Sequence, residues 1–120
     1  MSNAGPTGQE TSPGDALLGT LLALANPHRL RILAALSDRR EYVSELARQI
    51  GISRPLLHMH LRRLEAAGLV VSELELSPEG KAMKYYQVAP FDIRLTPARI
   101  AEAAKTLSES ATPKEDRIDG

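Results

Sequence analysis

The sequence has no cysteine and no tryptophan among its 120 residues. The absence of cysteine excludes disulfides, thiolate metal sites and a thiol redox switch. Aromatic residues make up only 3% of the chain. They are Tyr42, Tyr85, Tyr86 and Phe91. We therefore expect a core of aliphatic side chains and alanine, as in small helical domains.

An excess of one charge and long apolar segments are also missing. Fifteen lysines and arginines balance fifteen acidic residues, which argues against a protein that coats nucleic acid without specificity. No apolar run approaches the length of a membrane span, and no signal peptide is recognisable. We expect one cytoplasmic domain with a single core. The sequence has no glycine-rich phosphate loop and no nucleophile placed beside a base, so we expect no enzymatic activity.

The most informative segment runs from residue 44 to residue 71. Leu46, Ala47 and Ile50 follow helical spacing and predict a short amphipathic helix. Gly51 is expected to end this helix, because glycine adopts left-handed φ values without a Cβ clash.

A second helix follows directly. Ser53 is suited to cap it, and Leu57, Leu61 and Leu64 are spaced to form its buried face. Gly68 is expected to end it. Two helices joined by a short turn that contains glycine predict a helix-turn-helix, whose second helix enters the major groove of DNA.

The outward face of the second helix is basic. Arg54, His58 and Arg62 recur at intervals of four residues, and Glu65 is the only acid between residues 53 and 67. A solvated helix face usually mixes both charges in neighbouring pairs. This face therefore favours DNA binding over a purely structural helical hairpin.

A change of period after residue 68 predicts a β-hairpin. Residues 69–76 and 83–88 read as strands on either side of a turn at residues 77–80. Such a hairpin would be the wing of a winged helix-turn-helix. Lys81 and Lys84 lie near its tip, where they contact phosphate or only keep an exposed edge soluble. The predicted DNA-contacting residues are Arg54, Pro55, His58, Met59, Arg62, Arg63, Lys81 and Lys84.

The remaining segments predict three more helices and two tails. Asp15 is expected to cap a first helix that runs to about residue 25, and Asn26 with Pro27 is expected to begin a second. Residues 41–43 read as an extended link, and residues 98–110 as a last helix. We expect residues 1–13 and 111–120 to be disordered tails around a domain of residues 14–110. The predicted buried stripe of the second helix comprises Leu30, Leu33 and Ala34, with Ile32 and Leu36 beside it.

Three segments together resemble the ArsR/SmtB family of transcriptional regulators. They are LANPHRLRILAAL at residues 24–36, ISRPLLHMHLRRLEAAGLV at 52–70 and GKAMKYYQV at 80–88. The resemblance covers about residues 15–108. It implies a mainly α winged helix-turn-helix with four helices, a small β-hairpin and a last helix. It also implies a homodimer that binds operator DNA and usually represses transcription until an effector releases it.

The family's dimer is built from the first and last helices. The first helix of this chain is unusually apolar for a surface helix, and the last carries a seam of small and aliphatic side chains that permits close approach. The predicted dimer interface comprises Leu17, Leu21, Ile100, Ala103, Ala104 and Leu107.

Well-known members of the family sense metals, but this chain departs from their ligand patterns. It has no cysteine in residues 44–48 and no histidine in residues 98–110. His58 and His60 lie about 200° apart around a helix, so they cannot bind one ion together. His28 is the candidate ligand that we single out, and an imidazole–carboxylate set would suit nickel or zinc as effector. The structural interpretation places His28 in the first turn of a helix and His60 in helix packing.

A winged helix that binds other proteins without DNA is the alternative from another class. Such a module would tolerate glutamate on the outward face of the second helix. Arg54, Arg62, Lys81 and Lys84 favour DNA instead.

Overall fold

The computed structural model describes residues 11–109, which contain five α-helices and three β-strands. The helices are α1 (Pro13–Leu24), α2 (Pro27–Leu36), α3 (Val43–Ile50), α4 (Arg54–Ala66) and α5 (Pro97–Ala104). The strands are β1 (Glu41–Tyr42), β2 (Val70–Leu76) and β3 (Ala82–Val88). Residues 21–92 form one compact unit, and residues 11–20 with 93–109 belong to another. The predicted mainly α winged helix-turn-helix is confirmed.

The predicted tails lie largely outside the described residues. Residues 1–10 and 110–120 are not covered, and α1 begins at Pro13, the last residue of the predicted N-terminal tail. No helix in residues 11–109 is long and apolar enough to cross a membrane.

The core of the unit formed by residues 21–92 is aliphatic, as expected. Leu57, Leu61 and Leu64 of α4 are fully buried, together with Ile32 of α2 and Leu46 of α3. Each such side chain contributes about 1.5–3 kcal/mol by leaving water. Tyr86 is the one aromatic side chain in this core among the described residues. Burying α4 through these leucines fixes which of its faces points outward.

The turn between α3 and α4 is built as the sequence predicts. Gly51 has φ 80°, in the left-handed region, and its N–H donates to the Ala47 carbonyl at 2.8 Å. The Ser53 hydroxyl accepts a hydrogen bond from the Leu56 N–H at 3.3 Å at the start of α4. Glycine and serine thus satisfy backbone groups that the two helix ends leave without intrahelical partners.

The start of α2 is confirmed, but its buried face is only partly the one expected, since Ile32 and Leu36 are buried while Leu30 and Ala34 are not. Asn26 caps the helix, and its side chain accepts the Arg29 N–H at 3.2 Å. The buried residues are Arg29, Ile32 and Leu36, whereas Leu30 is 53% exposed. Ala34 is also exposed, and Leu33 is only partly buried. The predicted stripe included only apolar residues and left out Arg29. The Arg29 side chain lies on the buried face because it forms hydrogen bonds in the interior.

The wing has a third strand that the sequence did not predict. Residues 41–42, expected to be a link, form β1, and the helix that follows already begins at Val43. β1 pairs antiparallel with β3, which gives the strand order β1-β3-β2. A strand of two residues has no period that a sequence pattern could reveal, since only its partners 43 and 45 residues later define it.

The start of α1 is stabilised by Ser12 rather than Asp15. The Ser12 hydroxyl accepts the Asp15 N–H at 3.1 Å. Asp15 Oδ1 instead accepts the Ser108 N–H at 2.9 Å, and the hydrogen bonds from Ser108 lower the pKa of this carboxyl group. The cap prediction was therefore displaced by one helical turn.

The last helix is shorter than predicted and ends at Ala104 instead of residue 110. Lys105, Thr106 and Leu107 donate their N–H groups to carbonyls three residues back, which tightens the chain out of the α-helical pattern. The Thr106 side chain also donates to the Ala103 carbonyl at 3.1 Å and accepts the Gly14 N–H at 2.7 Å. A threonine that bonds nearby backbone in this way competes with helix continuation.

Candidate nucleic-acid interface

The outward side of α4 carries a continuous basic surface, which we call the basic face of α4. Arg54, Arg62 and Arg63 are exposed, and none of them forms an ion pair within residues 11–109. Met59 is 42% exposed and His58 is partly buried. The face comprises Arg54, Pro55, His58, Met59, Arg62 and Arg63. Three guanidinium groups without partners are available to phosphates and base edges.

The wing, formed by β2, β3 and the turn between them, has two chemically different faces. Residues directly opposite each other in antiparallel strands point to the same side of the sheet. Leu74 lies opposite Lys84 and Leu76 opposite Ala82, which defines the lysine face of the wing. Glu73 lies opposite Tyr85 and Glu75 opposite Met83, which defines its acidic face.

The lysine face of the wing is on the side of the sheet that packs against α4. Ser72 and Tyr86 are paired on that side, and the Ser72 hydroxyl donates to Glu65 of α4 at 3.2 Å. Lys84 follows along the same face, with Nζ 5.5 Å from the Tyr86 ring centroid. Lys81 is exposed in the turn, where the Ser77 N–H donates to its carbonyl at 2.7 Å. Lys84 is therefore presented on the side of the sheet that packs against α4, and Lys81 is exposed in the turn next to it.

Arg40, which sequence reasoning missed, neutralises the acidic face. Its Nη1 lies 3.1 Å from Glu73 and 2.6 Å from Glu75, and its guanidinium stacks 4.4 Å from the Tyr85 ring centroid. These glutamates consequently do not face the lysines. No sequence pattern reveals this cluster, since Arg40 lies more than 30 residues from both partners.

His60 is buried on the inner side of α4, on a different side from His58, as its spacing predicts. It is 3% exposed, and its Nδ1 lies 3.1 Å from Nη1 of Arg29. Burial lowers the pKa of the His60 ring, and the positive charge of Arg29 lowers it further. This contact joins α2 to the predicted recognition helix. The signal in the sequence was Arg29 within the segment LANPHRLRILAAL that resembles the family, but its burial could not be inferred from that segment.

The environment of His28 does not support the predicted metal ligand. Its ring lies 5.4 Å from the His60 ring between centroids, and His60 in turn contacts the Arg29 cation, whose charge repels a divalent ion. Residues 11–109 contain no group of three or more His, Cys, Asp or Glu side chains placed to hold a metal. Two imidazoles and a guanidinium do not fit nickel or zinc.

The residues of the predicted dimer interface differ in how exposed they are in the single chain. Ile100 is 50% exposed, Leu107 is 45% exposed and Ala104 is also exposed. Leu17 and Leu21 are partly buried. Ala103 is 8% exposed, and a Cβ added at Gly14 would overlap its carbonyl oxygen. Ala103 is therefore already covered by its own chain.

Comparison with known proteins places these features in a family. The model for bacterial regulatory proteins of the arsR family matches residues 26–72. The HTH-type transcriptional regulator MJ0229 of Methanocaldococcus jannaschii is 41% identical over 69 residues, which cover 58% of this chain and 72% of that protein. The transcriptional regulator CmtR of Mycobacterium tuberculosis is 41% identical over 63 residues, covering 52% of this chain and 50% of CmtR.

A repressor and two solved structures extend the comparison. The transcriptional repressor SmtB of Mycobacterium tuberculosis is 39% identical, covering 49% of this chain and 44% of SmtB. The chain thus spans about half the length of CmtR and less of SmtB. The crystal structure of NolR from Sinorhizobium fredii matches with TM-score 0.55 and 27% identity, covering 88% of this chain and 92% of that one. The homodimeric winged helix-turn-helix domain of Mb0332 from Mycobacterium bovis shares the fold, with TM-score 0.59, 24% identity and coverage of 86% and 82%.

The fold, the basic face of α4 and the relatives together define a winged helix-turn-helix protein that binds DNA and regulates transcription. Within that class, the chain belongs to the arsR family of bacterial regulatory proteins. The resemblance recognised from the sequence is confirmed. Its relatives are named as transcriptional regulators, not as enzymes.

Proposed function

We propose that this chain binds double-stranded operator DNA as a homodimer and represses transcription from the operator until an effector releases it. The observation that carries the proposal is the basic face of α4, whose three arginines have no ion-pair partner among the described residues. Repression is proposed because the relative SmtB is a transcriptional repressor. A target in genomic DNA places the protein in the cytoplasm. A nickel or zinc response would need ligands other than the pair His28 and His60.

We assign the proposed DNA contacts of α4 to base edges or to the DNA backbone according to the position of each residue on the helix. Arg54, His58, Met59 and Arg62 are proposed to read base edges in the major groove, because they lie on the outward side of a helix buried through its leucines. Bidentate arginine contacts to guanine are the commonest specific contacts of this kind. Arg63 is proposed to contact phosphate. Pro55 lies in the first turn and is proposed to contact the backbone.

The wing is proposed to contact the DNA backbone beside that groove. Lys84 is presented on the side of the sheet that packs against α4 and Lys81 is exposed in the turn before β3, while Arg40 holds two glutamates on the opposite face. Lysine at such positions neutralises phosphate without reading sequence. Affinity should therefore depend steeply on salt, since phosphate contacts release counterions.

Alanine substitutions at Arg54 and Arg62 test the proposal. The probe is a duplex enriched from a random-sequence library by the wild-type protein. Each substitution should weaken binding by about 1–3 kcal/mol if it removes a bidentate base contact. The melting temperature should change little, because both side chains are exposed. The control, Arg94→Ala with Lys105→Ala, removes two positive charges elsewhere and should bind like wild type.

The wing is tested in the same assay by the double variant Lys81→Ala with Lys84→Ala. This variant should bind all duplexes more weakly and show a shallower slope of log affinity against log salt. Wild-type binding by the Arg54 and Arg62 variants would contradict the proposed interface, whereas a library that yields no bound duplex would favour a protein-binding module. An unchanged salt slope would confine the interface to α4.

The homodimer is proposed to use the exposed apolar residues of α5 and the chain just after it. Ile100, Ala104 and Leu107 lie at intervals of four and three residues, and all are exposed in the single chain. Leu17 and Leu21 of α1 are proposed to contribute the parts that remain accessible. Ala103, being buried in its own chain, supports the packing from within.

Sedimentation at micromolar protein concentration tests the dimer. Wild type should sediment as a dimer, and Leu107→Glu should sediment as a monomer and lose DNA binding, because a charge at a buried interface is strongly unfavourable. Leu74→Glu, at a wing leucine that is 69% exposed, should remain dimeric. A monomeric wild type would refute the proposed assembly.

A further inference from the structure

One arginine joins three helices inside the unit formed by residues 21–92. Arg29 of α2 is 8% exposed, and its Nε donates to the Ala23 carbonyl at 2.6 Å. Nη2 donates to the Leu22 carbonyl at 3.3 Å, and both carbonyls belong to the last turn of α1. Nη1 lies 3.1 Å from Nδ1 of His60 on α4. The position of the predicted recognition helix is therefore linked to the junction of α1 and α2.

This contact determines which form of His60 is present. An arginine guanidinium is always protonated and has only hydrogen-bond donors. Nδ1 of His60 must therefore accept, so the ring is neutral and carries its proton on Nε2. A second proton would have to bind Nδ1, where it would oppose the Arg29 N–H. The contact can exist only while His60 is neutral.

The surroundings of His60 oppose its protonation. Burial lowers the pKa of the ring below the ordinary value of 6.5, and the charges of Arg29, His28 and Arg63 lower it further. Arg29 and His28 belong to α2 and Arg63 to α4 itself. The last residues of α1, Leu21–Leu24, carry no titratable side chain. Every group that acts on His60 is a cation or becomes one on protonation.

The carboxylates of the other elements that pack against α4 have partners elsewhere. Glu45 of α3 pairs with Arg48 on the surface. Glu73 and Glu75 of β2 pair with Arg40. None of them acts on His60. An imidazolium at this position would thus lack a compensating negative charge.

We propose that Arg29 and His60 are positioning residues for the recognition helix, and that proton uptake by His60 breaks their contact and lowers DNA affinity. This inference rests on the proposed function, because it assumes that α4 reads DNA. We call the state in which the contact between Arg29 and His60 is broken the released state. His60 binds a proton more readily in the released state than in the state with the contact intact. Falling pH therefore shifts the population toward the released state below about pH 6.5. One coupled proton corresponds to a change of about tenfold in the equilibrium per pH unit.

The test compares the pH dependence of DNA binding in wild type and His60→Asn. The asparagine amide oxygen takes the place of Nδ1 as an acceptor for Arg29 but does not titrate in this range. The probe is the library-enriched duplex, measured between pH 5 and 8 at constant ionic strength. His58 is present in both proteins, so the difference between the two profiles isolates His60. We expect wild-type affinity to fall by up to about tenfold per pH unit for each protomer in the acidic range relative to the variant.

A measurement on the unsubstituted protein covers the case in which His60→Asn fails to fold. Nuclear magnetic resonance should show the His60 ring titrating below pH 6.5, with backbone amides of α4 shifting at the same midpoint. Arg29→Gln should raise the pKa of His60, since it removes a neighbouring positive charge. If His60 had only a structural role, its titration and the shifts of the α4 amides would not share a midpoint.

The outcomes separate this inference from the proposed function. Identical pH profiles for wild type and His60→Asn, with DNA binding retained, would overturn the inference alone. A His60 ring that titrates at or above pH 6.5 without shifts in α4 would also overturn it. A random-sequence library that yields no duplex bound by wild type at pH 7.5 would overturn the proposed function, and this inference with it.

Discussion

Asn26 shows how a single side chain fixes the geometry on which the buried contacts depend. It has extended backbone angles, with φ −158° and ψ 128°, and its side chain accepts the N–H of Arg29. The guanidinium of the same Arg29 forms hydrogen bonds with α1 and α4. One residue therefore sets the direction in which α2 begins and, with it, the place of Arg29.

Replacing Asn26 tests this role at the scale of one residue. Asn26→Ala should lower the free energy of unfolding by about 1 kcal/mol, because a backbone N–H at the helix start loses its acceptor. Asn26→Ser should retain most of the stability, since its hydroxyl can still accept. Urea denaturation measures both values. Equal losses in the two variants would show that capping is not what Asn26 contributes.

The pairing of α1 with α5 illustrates the scale of the element, since it depends on close backbone approach. Gly14 is buried, and an added Cβ would overlap the Ala103 carbonyl and come within 2.9 Å of the Thr106 hydroxyl. Ser12 and Asp15 hold the same contact by hydrogen bonds to Thr106 and Ser108. A glycine in a helix usually destabilises it, but here its missing side chain makes the approach possible.

Two glycines of α1 provide a matched pair of substitutions. Gly14→Ala should destabilise the protein by about 1–3 kcal/mol, because it overpacks a site that backbone atoms already fill. Gly19→Ala has nothing within 4 Å of the added Cβ and should stabilise the helix by about 0.5–1 kcal/mol. Chemical denaturation distinguishes the two. Similar stabilisation by both alanines would refute the close approach.

Elements whose signals are local could be predicted from the sequence, and those that depend on distant partners could not. The leucine spacing of α4, the left-handed Gly51 and the Ser53 cap each depend on neighbours within one or two turns. The pairing of β1 with β3 and the early end of α5 depend on residues far along the chain.

The same distinction holds for the candidate site. The outward arginines of α4 could be predicted, because helical period places them opposite the buried leucines. The contacts of Arg29 and Arg40 could not, because each arginine reads as a surface residue until its partners are known. His28 as a metal ligand stays a prediction; the inward direction of the neighbouring Arg29 side chain could not be foreseen for the same reason.

At the scale of the whole molecule, the distribution of charge matters more than its sum. The formal net charge is zero. Several acids are paired with Arg40, Arg48 and Lys105, whereas Arg54 and Arg62 on α4 have no ion-pair partner in the described part of the chain. A surface of this kind attracts DNA locally without causing non-specific binding of nucleic acid over the whole protein. Steep salt dependence and a neutral overall charge are therefore compatible.

The most direct test of the DNA-binding surface is to map it on the protein by nuclear magnetic resonance as the library-enriched duplex is added. The account predicts that the largest amide shifts fall in residues 54–63 of α4 and residues 77–84 of the wing. Amides near Glu73 and Glu75, on the acidic face, should shift less. Unchanged amides across residues 54–63, with the largest shifts elsewhere in the chain, would contradict the account.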